Sequence, residues 1–131
     1  MEAAVVDTTL LIDLQRGRQN PDRLDGERWL SAHPRVVLKI PSVVLGEFAT
    51  GFEDPAAPVI TELRHRHEIL AVGPEEAIRY ARLFRAMKRT GTLIGGNDLW
   101  IAATALEANL PLVTRNGGHF DRVEGLQVVT Y

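Results

Sequence analysis

Apolar positions along the chain fall in short runs that alternate with stretches of helical spacing. Residues 3–6 form an apolar run, β-branched at Val5 and Val6 and stopped by Asp7, which predicts a buried strand. Thr8 to Gln15 carries Leu10, Leu11 and Leu14 at helical spacing, and Gly17 stops it. Residues 16–25 are polar and broken at Asn20-Pro21; a helix is predicted over 23–33, ended by Pro34. Residues 36–40 predict a second strand. Pro41 suits the first turn of a helix running to about Phe52. A loop over 53–58 leads into a charged helix through 62–66, and 69–72 reads as a third short strand.

Pro74-Glu75-Glu76 opens a long helix to about Arg89, because proline has no N–H to lose at that position and the acids face the positive helix end; Gly91 closes it. Leu93 to Gly96 predicts a turn, and Asn97 is expected to cap a helix running to about Asn109. Residues 111–114 predict a fourth strand, Asn116-Gly117-Gly118 a sharp turn, and 126–130 the last strand. Apolar strands alternating with helices imply an α/β fold: a mostly parallel sheet covered on both faces, with ligands beyond the carboxyl ends of the strands.

Composition narrows the function classes. With 131 residues, the span 1–131 is read as one domain. There is no cysteine, which excludes a disulfide framework, a thiolate zinc site and a cysteine nucleophile. No apolar run reaches the roughly 18 residues of a membrane span, and the start MEAAVVDTT is too short and too soon acidic for a signal peptide. A soluble, cytoplasmic domain without a membrane partner is expected. A net charge of −2 argues against a protein that coats nucleic acid, but not against an enzyme touching it at a few places.

Four side chains stand out against this framework. Asp7 directly follows the first strand, either as an N-cap or as a ligand at the sheet's carboxyl end. Glu47 shares the face of Val43 and Val44, so its carboxylate either meets a cation or reaches water at a rim. Asp98 opens the most apolar helix, either as an acid complementing the helix dipole or pointing inward with Ile101, Ala102 and Ala105. Asn116 follows the fourth strand as Asp7 follows the first, as a turn residue or a site residue. Thr8 and Thr114 put hydroxyls at the same sheet end. Clustered carboxylates repel, and Mg²⁺ or Mn²⁺ is the usual remedy, commonly in phosphate chemistry. His65 and His67, two apart on a helix, do not share a face, and with His33 they read as surface residues. No GxGxxG or GxxxxGK[ST] pattern is present. The chain has 13 arginines and 2 lysines, and Arg79, Arg82, Arg85 and Arg89 line one helix as a solvated face, a guide for RNA phosphates or a contact for an acidic partner segment.

The segments V-V-D-T-T-L-L-I-D-L at 5–14, L-G-E-F-A-T-G at 45–51, I-G-G-N-D-L-W-I-A-A-T-A-L at 94–106 and L-V-T-R-N-G-G-H-F at 112–120 together resemble the PIN domain. More narrowly they resemble the VapC-type toxins of prokaryotic toxin–antitoxin pairs, in order and spacing over nearly the whole chain. The resemblance implies a three-layer α/β/α fold and a Mg²⁺- or Mn²⁺-dependent endoribonuclease that cleaves RNA with a metal-activated water. It also implies a homodimer and a small cognate antitoxin, whose Arg-bearing C-terminal segment would cover the acids. On this resemblance Asp7, Glu47 and Asp98 match the family acids and metal ligands. Asn116 matches the position where members carry Asp or Asn. His119 stands where an acid is frequent, so the fourth ligand is open among Asn116, His119 and Asp121. The alternatives are a PIN-like RNA-processing nuclease without an antitoxin, and an inactive RNA- or protein-binding module.

Overall fold

The computed structural model describes residues 1–17, 20–21 and 24–131. Arg23, where the second helix was expected to start, and Arg18, Gln19 and Asp22 of the polar break lie outside them. The elements run β1 (Ala3–Val6), α1 (Thr8–Gly17), α2 (Asp25–Ala32), β2 (Val37–Pro41), α3 (Ser42–Ala49), α4 (Pro58–Arg66) and β3 (Ile69–Leu70). They continue with α5 (Pro74–Thr90), α6 (Gly96–Ala108), β4 (Leu112–Thr114), α7 (Gly117–Phe120) and β5 (Val128–Thr130).

The strands form one sheet in the order β3-β2-β1-β4-β5, and every pairing is parallel. The chain builds outward from β1 through β2 to β3, then crosses back and places β4 against the other side of β1. That reversal puts the topological switch point between β1 and β4, with its crevice at their carboxyl ends. Helices cover the sheet in a three-layer α/β/α arrangement. The central strands carry the core: Ala4, Val5, Val6, Leu112 and Val113 are all fully buried. A strand buried on both faces needs a continuous apolar run, which is why residues 3–6 do not alternate.

Several local expectations are corrected. Pro41 ends β2 and precedes α3, because its extended ψ of 143° cannot belong to a helical turn. Helix α3 stops at Ala49, short of Phe52. The Thr50 hydroxyl bonds the Glu47 carbonyl at 2.6 Å, and Gly51 follows. Asn97 does not cap α6: Gly95 holds the cap position, the helix starts at Gly96, and the Asn97 side chain points elsewhere. The expected sharp turn at Asn116-Gly117-Gly118 is the start of the short helix α7. A Cβ at Gly117 would lie 2.0 Å from Thr130 Cγ2, so glycine allows α7 to seat on β5. Gly91 does close α5, in the left-handed conformation at φ 71°. The strands over 69–72 and 126–130 are shorter than expected, and that over 36–40 is shifted by one residue.

Among the described residues no helix is long and apolar enough to cross a membrane.

Candidate active site

The carboxyl ends of β1 and β4 meet at the switch point, and Asp7 lies there at the last position before α1. It is 3% exposed. Three donors surround it: Thr9 Oγ1 at 2.5 Å on Oδ1, Thr114 Oγ1 at 2.5 Å on Oδ2, and the Leu10 N–H at 3.4 Å on Oδ1. The Leu10 bond is the N-cap bond of α1, so Asp7 caps that helix from the carboxyl end of the sheet. None of these donors carries a charge. Burial therefore dominates and pushes the Asp7 carboxyl above the usual aspartate range. The three hydrogen bonds oppose the shift, and the nearby Asp98 charge adds to it.

Asp98 sits in the first turn of α6, half-buried, with its Oδ2 2.9 Å from His119 Nε2. Burial raises its carboxyl too; the His119 contact lowers it and the Glu47 charge raises it. Glu47 projects from α3, where Val44 and Phe48 are buried and Glu47 itself is half-buried at the rim. The Thr8 hydroxyl donates to its Oε1, and Asn97 Nδ2 lies 3.3 Å from its Oε2. The packing of α3 against α1 and α6 thus brings Asp98 into electrostatic range of both Asp7 and Glu47.

The structure separates the remaining expectations. His119 of α7 joins the acids through Asp98. Asp121 is the C-cap residue of α7 and is exposed. Asn116 is exposed. Its backbone N–H donates to Thr114 Oγ1 at 2.9 Å, but its side chain makes no hydrogen bond among the described residues. His65 is exposed, and His33 and His67 bond backbone carbonyls of Trp29 and Leu38.

Sequence reasoning missed the parts played by five residues, Thr9, Asn97, Asp13, Arg115 and Tyr131. Thr9 holds Asp7, and Asn97 reaches Glu47 rather than capping its own helix. Asp13 is 3% exposed and receives Arg115 Nη2 at 2.6 Å and the Tyr131 hydroxyl at 2.7 Å. The available signal for Asp13 was its place three residues after Leu10 and one before Leu14, within the apolar stripe of α1.

The donor set bears on metal binding. Three carboxylates crowd one end of the sheet, and two of them are pushed toward protonation. A hard divalent cation offsets such repulsion through oxygen ligands. Among the described residues no three His, Asp or Glu side chains close into a ready-made cage. Mg²⁺ usually takes one or two carboxylates and keeps waters or phosphate oxygens for the rest.

The chain is similar to known proteins over nearly its whole length. Ribonuclease VapC1 of Methanocaldococcus jannaschii is 32% identical over 127 residues, spanning 95% of this chain and 85% of that protein. Ribonuclease VapC1 of Haemophilus influenzae strain R2866 is 29% identical over 128 residues, 94% of this chain and 93% of that protein. Among solved structures, DNA-bound VapBC from Salmonella typhimurium superposes with a TM-score of 0.77 at 27% identity, covering 99% of this chain and 98% of that one. VapBC-1 from nontypeable Haemophilus influenzae gives 0.76 at 27% identity, covering 98% and 97%. The PIN domain profile matches residues 4–126, a span that contains the switch point and each of the acids above, and the chain belongs to the PIN domain family.

Proposed function

We propose that this chain is a metal-dependent endoribonuclease and the toxic half of a toxin–antitoxin pair. The observation that carries the reading is the convergence of Asp7, Asp98 and Glu47 at the carboxyl ends of β1 and β4, in a chain similar to VapC ribonucleases over nearly its whole length.

Asp7 and Asp98 would hold a Mg²⁺ or Mn²⁺ ion, and Glu47 would be a further ligand or would orient the attacking water. When bound, the metal polarises the phosphoryl oxygens and acidifies water for attack on phosphorus. Thr9, Thr114 and the Leu10 N–H fix the Asp7 carboxylate in one orientation while leaving a lone pair on Oδ2. His119 does the same for Asp98 from one side. Thr8 and Asn97 steer Glu47 toward the other two acids. Asn116, exposed at the mouth, would reach the site through water.

A small antitoxin is the expected partner, and a second copy of the chain is expected to form a dimer. A groove of about 300 Å³ between α1, α2, α3 and α4 is lined by Leu11, Leu14, Leu30, Phe48, Val59 and Leu63 among others. It touches α3 at Phe48, next to Glu47, although Glu47 and Asp98 lie outside it. An antitoxin segment with apolar residues in this groove would carry an Arg to the acids, where its fork pairs with carboxylates.

The test is a ribonuclease assay with added Mg²⁺ or Mn²⁺ on wild type, Asp7→Asn and Asp98→Asn, beside growth assays with and without the product of the adjacent upstream gene. Metal-dependent cleavage lost in both variants, with toxicity relieved by the neighbour, is expected. Cleavage that persists in the variants overturns the site. A chain that is harmless alone and captures no neighbour product overturns the toxin assignment.

A further inference from the structure

The buried cluster beside the acids holds a cation that the proposed chemistry has not used. Arg115 lies between Thr114, which binds Asp7, and Asn116. Its own N–H donates to Thr9 Oγ1 at 3.3 Å, and Thr9 in turn donates to Asp7. Its guanidinium therefore stems from the segment that forms the rim of the site. Nη2 contacts Asp13 Oδ2 at 2.6 Å, and that oxygen also accepts the Tyr131 hydroxyl at 2.7 Å. The Asp13 side chain is 4% exposed but that of Arg115 is 41% exposed. One edge of the fork is anchored in the protein. Nε and Nη1 have no hydrogen-bond partner among the described residues.

We propose that Arg115 binds an RNA phosphate flanking the cleavage point, with Asp13 and Tyr131 as positioning residues that set the posture of its guanidinium. The inference rests on the ribonuclease reading above. A cluster of carboxylates repels a polyanion, so substrate capture needs a fixed positive group close by that does not itself neutralise the acids. Arg115 satisfies both conditions, since its contact is with Asp13 and not with Asp7, Glu47 or Asp98. A guanidinium suits the task because five planar donors let it serve a carboxylate on one edge and a phosphate on another. Anchoring before substrate arrives reduces the ordering cost of binding. Arg79 of α5, by contrast, spends its Nε on Glu107 of α6 at 2.8 Å.

A flanking-phosphate contact is made equally in ground and transition states, so its loss raises KM and spares kcat. Removing Arg115 alone would leave Asp13 buried without a cation, so the comparison uses Asp13→Asn against Asp13→Asn/Arg115→Gln, both checked for folding by melting. The readout is KM and kcat for cleavage of a single-stranded RNA oligonucleotide with Mg²⁺ or Mn²⁺ across a salt series. The double variant is expected to show a KM roughly tenfold above Asp13→Asn, the scale of a charge-assisted hydrogen bond, with kcat within about twofold. Its log KM is expected to depend less steeply on log salt, by about 0.7, the value for one phosphate on a single strand. Equal KM and equal salt slope in the two variants overturn the inference. So does a fall in kcat with KM unchanged, which would mean that Arg115 only braces the loop. Wild-type protein that cleaves no RNA with either metal overturns the ribonuclease reading and this inference with it.

Discussion

Asp7 and Asp13 flank the same five-residue stretch at the start of α1, and each is 3% exposed. Their surroundings are opposite in kind. Asp13 receives a guanidinium and a phenol, so its charge is answered from within the chain. The phenol is held firmly in return: burial, then the bond to Asp13, raises Tyr131 well above the ordinary tyrosine range. Asp7 receives two hydroxyls and one amide N–H, and its nearest charged influence is another carboxylate. A carboxylate buried with a cation is a structural element. One buried among neutral donors and facing a like charge is held short of positive charge, which is what a site for an external cation requires. The contrast locates function more sharply than burial or residue type alone.

The largest effect that tests the contrast is on activity. Asp7→Asn and Asp98→Asn are each expected to lower RNA cleavage by at least about 100-fold, beyond the 10- to 100-fold typical of losing a group that merely supports a metal ligand. Circular dichroism should show the fold retained. Cleavage rates near wild type in either variant would dissolve the distinction between the two aspartates.

On stability the order reverses. Arg115→Ala strands the Asp13 carboxylate in the interior and is expected to cost about 2–4 kcal/mol, at or below the figure for fully buried pairs because the guanidinium is partly in water. The Asp13→Asn/Arg115→Gln pair should cost less, since no charge is left stranded. Urea unfolding of the three proteins measures the difference.

Metal should act on the Asp7 side alone. Mg²⁺ or Mn²⁺ at a hundredfold excess over Kd is expected to stabilise the native state by about 2.7 kcal/mol. The gain in Tm should shrink in Glu47→Gln and persist in Asp13→Asn. A melting curve that ignores millimolar metal counts against the acids as its ligands.

The smallest effect is in the pH dependence without metal. Asp7 in the folded chain holds its proton to higher pH than in the unfolded chain, whose value is about 3.9. Between those two values the native state binds more protons, so stability falls as pH rises through the window. The penalty is absent below the unfolded value and complete above the folded one. Asp7→Asn should therefore be more stable than wild type at neutral pH, with the gap closing as pH falls toward 4. Asp98 shifts in the same direction, so a weaker slope should persist in Asp7→Asn. A gap that does not change with pH would show that Asp7 carries no such penalty.

Much of this was readable from local pattern. The unbroken apolar run of β1, the all-round apolar α6 and the Pro74 and Gly91 ends of α5 follow from periodicity and backbone stereochemistry, which neighbours in sequence determine. That Asp7 and Asp98 stand at the ends of such elements followed as well, because a polar residue closing an apolar run is itself a local signal. The hydroxyls of Thr8 and Thr114 were placed at the right sheet end, but their choice of partner, Glu47 and Asp7, was not readable. It spans 39 and 107 residues of chain.

What only the tertiary structure decided are the pairings. Asn97 looked like a cap because its neighbours fit that role; the approach of α3 gave it Glu47 instead. The pattern favours Asn116 as a partner of the acids over His119 and Asp121; the seating of Gly117 against Thr130 forms α7 and puts His119 beside Asp98. Asp13, Arg115 and Tyr131 carry no local mark of belonging together. They meet because β4 and β5 pack in parallel on the same side of β1 and bring the end of the chain back over α1. The sequence by itself determined which elements form and which acids end them, since those depend on residues a few positions apart. Only the fold decided which buried carboxylate receives a cation from the chain and which is left without one, because electrostatic partnership depends on distance in space.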